Sequence, residues 1–263
     1  MKAGADYTRV YLSPHLDDAV LSCGGRVRQQ VLAGDRVAVV TVFARAPEPG
    51  VPLSSYARDL HDRWGHPIEA VRQRQKEDRE ALALLGADVV HWEYLDCIYR
   101  RTPNGEYPYD SEAALWGPLH PSEAGLVREL AGRLHHLSLQ PDGALYAPLA
   151  IGRHVDHRIV RAAAAECGRC PTYYEDFPYA ADAEAFNANG LHTSLRDGPR
   201  KAELIRLSRE ELEAKIAAIA CYRSQVSSFW TDPGEMAASV RAFATRVGAG
   251  VPAERYWQRT GRA

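Results

Sequence analysis

The sequence predicts an α/β fold, Rossmann-like and doubly wound, with a mostly parallel sheet carrying helices on both faces. Three observations carry that expectation. Short β-branched runs alternate with helix-length charged segments, the runs are apolar almost throughout, and glycine or proline punctuates the joins. Val37 to Ala44 (Val-Ala-Val-Val-Thr-Val-Phe-Ala) is the clearest case, with the pattern of a strand buried on both faces. Parallel strands joined through helices take right-handed crossovers.

In order, Val10–Leu12 reads as the first strand and residues 19–33 as a helix with Gly24-Gly25 near its middle. Paired glycines there cost about 1–2 kcal/mol against alanine, which points to a close backbone approach. Gly34-Asp35 turns into the second strand, Arg36–Ala44, and a loop follows with Pro47, Pro49, Gly50 and Pro52. His66 to Leu85 is helical and closed by Gly86 as a C-cap. Asp88–Trp92 is the third strand, and residues 100–120 read as a long functional loop. A helix over about 121–137, a strand Ala144–Ala147, a helix His157–Cys167 and a strand Thr172–Tyr174 complete the alternation. After Glu175 the rhythm changes to a loop (176–200), a strand Lys201–Leu207, a helix Ser208–Tyr222 and a last helix Gly234–Val247. Residues 1–263 read as a single domain, with a core of about 8–175 and the part 176–263 packed on it.

Composition narrows the function. A net charge of −2 makes no electrostatic case for nucleic acid or an anionic membrane as partner. The longest apolar runs are strand-length, far short of a membrane span. Met1–Arg9 lacks the apolar core of a signal peptide, so a cytoplasmic location is expected. Five scattered cysteines do not make a disulfide framework. Cys167 and Cys170 have the separation of half a zinc or redox site but no second pair, and read as reduced cysteines at a helix end.

The chemistry concentrates in two clusters, each just beyond a strand: His15-Leu16-Asp17-Asp18 and His154-Val155-Asp156-His157. Open α/β sheets bind ligands at the carboxyl ends of their strands. A catalytic zinc takes three ligands from His, Asp or Glu and leaves a position for water. His15 and Asp18 are three apart, as are His154 and His157, so each pair can share a face, and Asp17 is left free to act as a base. The competing reading is helix capping by Asp17, Asp18 or Asp156. Capping accounts for one aspartate, but not for two adjacent acids beside a histidine matched by His-x-Asp-His at a second strand end. A dinucleotide site would need a Gly-x-Gly-x-x-Gly turn where His15 to Asp18 stand.

Pro14-His15-Leu16-Asp17-Asp18 with Gly24-Gly25, and later His154-Val155-Asp156-His157, resemble the two signatures of the PIG-L/LmbE-like zinc deacetylases, which remove the acetyl group from N-acetylglucosaminyl compounds. The resemblance extends through Arg74-Gln75-Lys76-Glu77, Leu85-Gly86-Ala87, Asp96, Tyr174 to Tyr179 and Lys215 to Gln225. It implies that His15, Asp18 and His157 hold Zn2+ (or another divalent metal such as Fe2+) and that Asp17 is the general base. It further implies that His154 stabilises the oxyanion as imidazolium or protonates the departing amine, that Asp156 orients a histidine, and that Arg74 and Asp96 bind substrate. For Arg74 a surface pairing with Glu77 or Asp78 is the alternative, and for Tyr109, Trp116 and Tyr179 a core role competes with stacking on a sugar. Leu16, Ala19 and Val155 depart from the family's usual Pro, Glu and Pro. The partner expected is a small N-acetylated amino sugar. The alternatives are an amidase for another N-acyl or thiol-conjugate substrate and a non-catalytic sugar-binding relative.

Overall fold

The computed structural model describes residues 6–64, 69–182 and 200–259. Its strands are β1 (Tyr7–Ser13), β2 (Val37–Thr41), β3 (Asp88–His91), β4 (Leu139–Pro148), β5 (Thr172–Tyr174), β6 (Arg200–Arg206) and β7 (Ala253–Arg259). They form one sheet in the order β3-β2-β1-β4-β5-β7-β6. From β3 to β5 every pairing is parallel, whereas β7 runs antiparallel to both β5 and β6.

Helices cover both faces, and the strand residues alternate between the two layers. Tyr11, Val37 and Val39 pack with α1 (Asp18–Leu32), α3 (Glu69–Leu85), α7 (Arg209–Ile219) and α9 (Pro233–Val247). Val10, Leu12, Ala38 and Val40 pack on the other face with α5 (Ala124–His135) and α6 (Val155–Glu166). A strand that is apolar in every position therefore has both sides buried. A third cluster joins Leu16 and Val155 to α2 (Ser55–Trp64), α4 (Glu112–Trp116) and the 3₁₀ turn Cys97–Tyr99, and so closes over the carboxyl end of the sheet.

The glycine pair in α1 behaves as the sequence implies. A Cβ on Gly25 would stand 2.5 Å from Leu207 and 3.0 Å from Glu254, and one on Gly24 3.0 Å from Lys215. Glu254, itself buried, accepts from the backbone N–H groups of Gly25 and Arg26 (3.0 and 3.1 Å) and from the buried Lys215 Nζ (2.8 Å). Without glycine the carboxylate and ammonium could not reach the helix backbone.

Four elements went unrecognised in the sequence: β7, α2, α4 within the loop expected over 100–120, and the short helix α8 (Arg223–Val226). Strand β7 contains Glu254 and Arg255, whose charges disguise it; Glu254 is nonetheless buried and paired with Lys215. Helix α2 follows a proline-rich loop and is strongly charged, with Tyr56, Leu60 and Trp64 at four-residue spacing as its apolar side. The single helix expected over 66–85 is described from Glu69 onward, and β4 starts at Leu139 rather than Ala144, with a register shift against β1 between Tyr7 and Arg9. The loop expected over 176–200 falls largely on residues 183–199, outside the described residues. Cys167 is buried and donates to the Ala164 carbonyl, and neither it nor Cys170 is in a disulfide.

Candidate active site

Strand β1 is flanked by β2 on one side and β4 on the other, so the chain leaves its carboxyl end at the point where the crossovers diverge. Side chains just beyond β1 and β4 face one crevice there. Residues 15–18 leave β1 and residues 154–157 follow β4, with helices α1 and α6 beginning at the crevice.

The capping alternative does not describe this site. Asp17 occupies the cap position of α1 but makes no side-chain capping bond. Ser13 takes that part, its Oγ accepting from the Ala19 N–H at 3.0 Å. At α6 the cap is His154, whose Nδ1 accepts from the Asp156 N–H at 3.3 Å. The three aspartates are thereby left for other partners. Upstream of His154, Ala150 and Arg153 hold positive φ (61° and 63°), which costs roughly 1–2 kcal/mol each in non-glycine residues. Strain of this kind clusters at functional sites. Gly152, between them, lets the Tyr179 ring pack where a Cβ would come within 2.5 Å of it.

The two histidine clusters meet. Asp18 Oδ2 lies 3.3 Å from His15 Nδ1 and 3.3 Å from His157 Nε2, long for charge-assisted hydrogen bonds. The far nitrogen of each ring has its own carboxylate: His15 Nε2 is 3.0 Å from Asp156 Oδ2, and His157 Nδ1 is 2.7 Å from Asp176 Oδ1. With a carboxylate accepting at each far nitrogen, a divalent ion bound beside Asp18 would displace any proton from the near nitrogens and meet them as lone-pair donors. Two imidazole nitrogens facing one carboxylate oxygen make a donor set that suits a divalent metal. The field agrees. Burial would hold His157 neutral, yet Asp18 and Asp176 raise it to about 10, and Asp96 and Asp156 likewise raise His15 against its burial. The crevice therefore favours an added positive charge.

Other donor groupings share these members. Nitrogens of His15, His154 and His157 lie within 4.8 Å of one another, as do ligand atoms of Cys97, His154 and Asp156, and of His15, Asp96 and Asp156. In the last two sets Asp156 already has both oxygens engaged, by Arg100 on one and by the Cys97 N–H and His15 on the other.

Asp17 stands beside this set, buried, with Arg74 Nη2 at 3.6 Å from its Oδ2. Burial and the neighbouring Asp18 push its carboxyl up to about 7, against the pull of Arg74 and His15. His154 goes the other way: burial and the nearby His15 lower it, leaving a neutral imidazole whose Nε2 bears the proton because Nδ1 accepts. Asp96 is 3.5 Å from His15 Nε2 and also accepts from the Ile98 N–H.

Arg74 is not the surface residue that pairing with Glu77 or Asp78 would make it. Glu77 accepts from Ser224 Oγ (2.6 Å), Asp78 from Tyr222 Oη (2.6 Å) and His91 Nε2 (2.7 Å), and both carboxylates are buried. Arg74 instead lies under Trp64, its guanidinium 5.5 Å from the ring, and its buried Nε has no hydrogen-bond partner among the described residues. A buried guanidinium N–H without a partner at a cavity wall suits a ligand oxygen.

His15, Asp17, Asp18, Arg74, Asp96 and His154 all line one cavity of about 570 Å³. Asp156 and His157 lie behind that wall, fully and almost fully buried. Trp116 and Tyr179 also line the cavity, and Trp116 meets His154 edge-on at 5.2 Å. Tyr109 is a core residue under Arg100. Asp176 entered the sequence reading only within the Tyr174 to Tyr179 stretch, without a role, and Arg100 was not singled out. Asp176 sits at the end of β5, where the strand-end argument alone would have pointed.

Carboxylate, imidazole and guanidinium side chains gather at the carboxyl end of a parallel sheet, and the relatives of the chain identify the class of reaction. The chain belongs to the PIG-L family, described as GlcNAc-PI de-N-acetylase, whose profile matches residues 10–167. It is an N-deacetylase, a hydrolase of amide C–N bonds. Over 241 residues it is 29% identical to the 2'-N-acetylparomamine deacetylase of Niallia circulans, covering 86% of this chain and 83% of that one. The zinc-inhibited form of the teicoplanin deacetylase Orf2 superposes with a TM-score of 0.81 at 28% identity, over 97% of this chain and 99% of that one. The A40926 pseudoaglycone deacetylase Dbv21 gives 0.73 at 28% identity, over 98% and 100%. Among the described residues, no helix is long and apolar enough to cross a membrane.

Proposed function

We propose that this chain is a zinc-dependent deacetylase acting on an N-acetylglucosamine-type amino sugar, free or carried on a small glycoconjugate. The observation that carries the reading is the convergence of His15 Nδ1 and His157 Nε2 on one Asp18 oxygen, beside the unshared carboxylate of Asp17. His15, Asp18 and His157 would hold the ion. When bound, zinc makes a water far more acidic, from a pKa of about 15.7 towards 7, and polarises the acetamide carbonyl.

The side chains supply the rest. Asp17 takes the proton of the attacking water and returns it to the nitrogen of the departing amine, which leaves only once protonated. His154 donates its Nε2–H to the carbonyl oxygen as negative charge develops there, acting as a neutral imidazole rather than as imidazolium. Asp156 and Asp176 keep the protons on the far nitrogens of His15 and His157. Arg74 and Asp96 take sugar hydroxyls on the cavity wall. The family description and the deacetylase names of the relatives, one of them for an N-acetylated paromamine, support this substrate class.

The test is a panel of N-acetylated sugars and conjugates scored for release of free amine, with zinc-loaded and chelator-treated protein. Release from at least one N-acetylhexosamine derivative, abolished by the chelator, is expected. Protein carrying one zinc per chain that releases no amine anywhere on the panel defeats the reading.

Two further results follow. Arg74→Ala should raise KM by about 10- to 100-fold, the worth of a charged hydrogen bond, with a much smaller change in kcat; an unchanged KM on the best substrate removes Arg74 from the binding site. Asp176→Asn should weaken zinc binding by roughly 10–100-fold, read by chelator competition, and wild-type affinity would show that His157 does not need its carboxylate.

A further inference from the structure

Arg100 is a largely buried arginine that touches neither the cavity nor any of the donor atoms proposed above for the metal. Its side chain is 12% exposed, on the residue that follows the 3₁₀ turn Cys97–Tyr99. Each guanidinium nitrogen has a partner: Nη2 donates to Asp156 Oδ1 at 2.6 Å, Nε to Glu123 Oε1 at 3.1 Å, and Nη1 to the Leu95 carbonyl at 3.0 Å. The plane is packed against Phe43 at 4.9 Å and Tyr109 at 5.7 Å. Phe43 also borders the His15 ring, with centroids 6.2 Å apart.

This is an expensive arrangement for a merely structural residue, since burying charges is repaid only by good geometry and full hydrogen bonding. Its geometry has one direction. Asp156 spends Oδ1 on Arg100 and Oδ2 on the Cys97 N–H (3.0 Å) and His15 Nε2 (3.0 Å). With Oδ1 pinned at 2.6 Å, the carboxylate cannot turn about its χ2 axis without breaking a buried charged bond. Oδ2 is thereby kept opposite His15 Nε2, an acceptor that favours the tautomer with its proton on Nε2 and with Nδ1 free to meet an ion on the Asp18 side. The same nitrogen has a second carboxylate, Asp96, at 3.5 Å, which a ring free to tilt would share.

We infer that Arg100 is a positioning residue of the metal centre: through Asp156 it fixes the tautomer and tilt of His15, and with them the affinity of the site for a divalent ion. The relay runs Glu123, Arg100, Asp156, His15, so Arg100, two contacts from His15, sets the geometry of the site. Arg100 is chosen over lysine for a physical reason. Lysine places one ammonium at one point, whereas the fork holds Asp156, Glu123 and the Leu95 carbonyl at once. The inference rests on the proposed ligand role of His15.

The experiment compares wild type, Arg100→Lys and Arg100→Met, with Glu123→Gln as a fourth chain. Zinc dissociation constants are measured by chelator competition, the visible spectrum of the Co(II)-substituted protein reports ligand geometry, and circular dichroism checks folding. Arg100→Met should bind zinc about 10–100-fold more weakly, the usual cost of losing support behind a ligand, and its Co(II) bands should shift. Arg100→Lys should fall between the two, and Glu123→Gln, one contact further out, should change affinity less than Arg100→Met. Wild-type affinity and an unshifted spectrum in folded Arg100→Met overturn the inference. If that chain does not fold, the same two readings on Arg100→Lys decide, with unchanged affinity and spectrum overturning it. Wild-type protein that binds no zinc would fail the proposed function instead, so the two failures are distinguishable.

Discussion

Asp17→Asn is expected to retain one zinc per chain and to lose about 10²–10⁴-fold in kcat, the range a general base contributes. Asparagine matches aspartate in shape and keeps an acceptor for Arg74 Nη2, so the fold and the neighbouring Asp18 have no reason to move. What it lacks is a lone pair basic enough to take a proton from water. Asp17 is well placed for that work: it is buried, it is outside the His15–Asp18–His157 set, and its carboxyl is lifted to about 7 by burial and by Asp18. The measurement is kcat at saturating substrate together with metal content of the same preparation. Full turnover with full metal would remove Asp17 from the reaction, and lost metal would show that it is a ligand.

His157→Ala is expected to lose both the metal and the activity. Its Nε2 is 3.3 Å from Asp18 Oδ2 and its Nδ1 2.7 Å from Asp176, so one substitution deletes a donor and strands a buried carboxylate. Affinity should fall by more than the roughly 10–100-fold expected when only a carboxylate behind a ligand is removed. His157→Gln, closer in volume, guards against simple misfolding. Stoichiometric zinc of unchanged affinity in either folded chain, read by chelator competition, refutes the ligand role. Together the two substitutions separate base from ligand, which share one short motif and one carboxylate chemistry.

Much of this site was legible because its residues are out of place for their local structure. Charged side chains directly after apolar strands have no packing reason to be there, so Asp17, Asp18, Asp156 and His157 stand out without any coordinates. Glycine in mid-helix is similarly conspicuous, and Glu254 and Lys215 are what it makes room for. The missed parts have the opposite character. Strand β7 looks polar because Glu254 is satisfied by backbone N–H groups of a helix more than 200 residues away. Arg100 and Glu123 look like ordinary surface charges, and only packing reveals that Glu123 is buried and Arg100 largely so.

The amino-acid sequence by itself determined the alternation of strands and helices, the two strand ends that carry chemistry, and the residue types available there, because periodicity and turn chemistry act over a few neighbouring residues. Tertiary structure decided which nitrogen of each histidine faces inward, that His154 rather than an aspartate caps α6, and that Arg74 faces Asp17 instead of Glu77. Those outcomes depend on contacts between residues far apart in the chain, and tautomer, burial and pairing are properties of such contacts rather than of any residue alone.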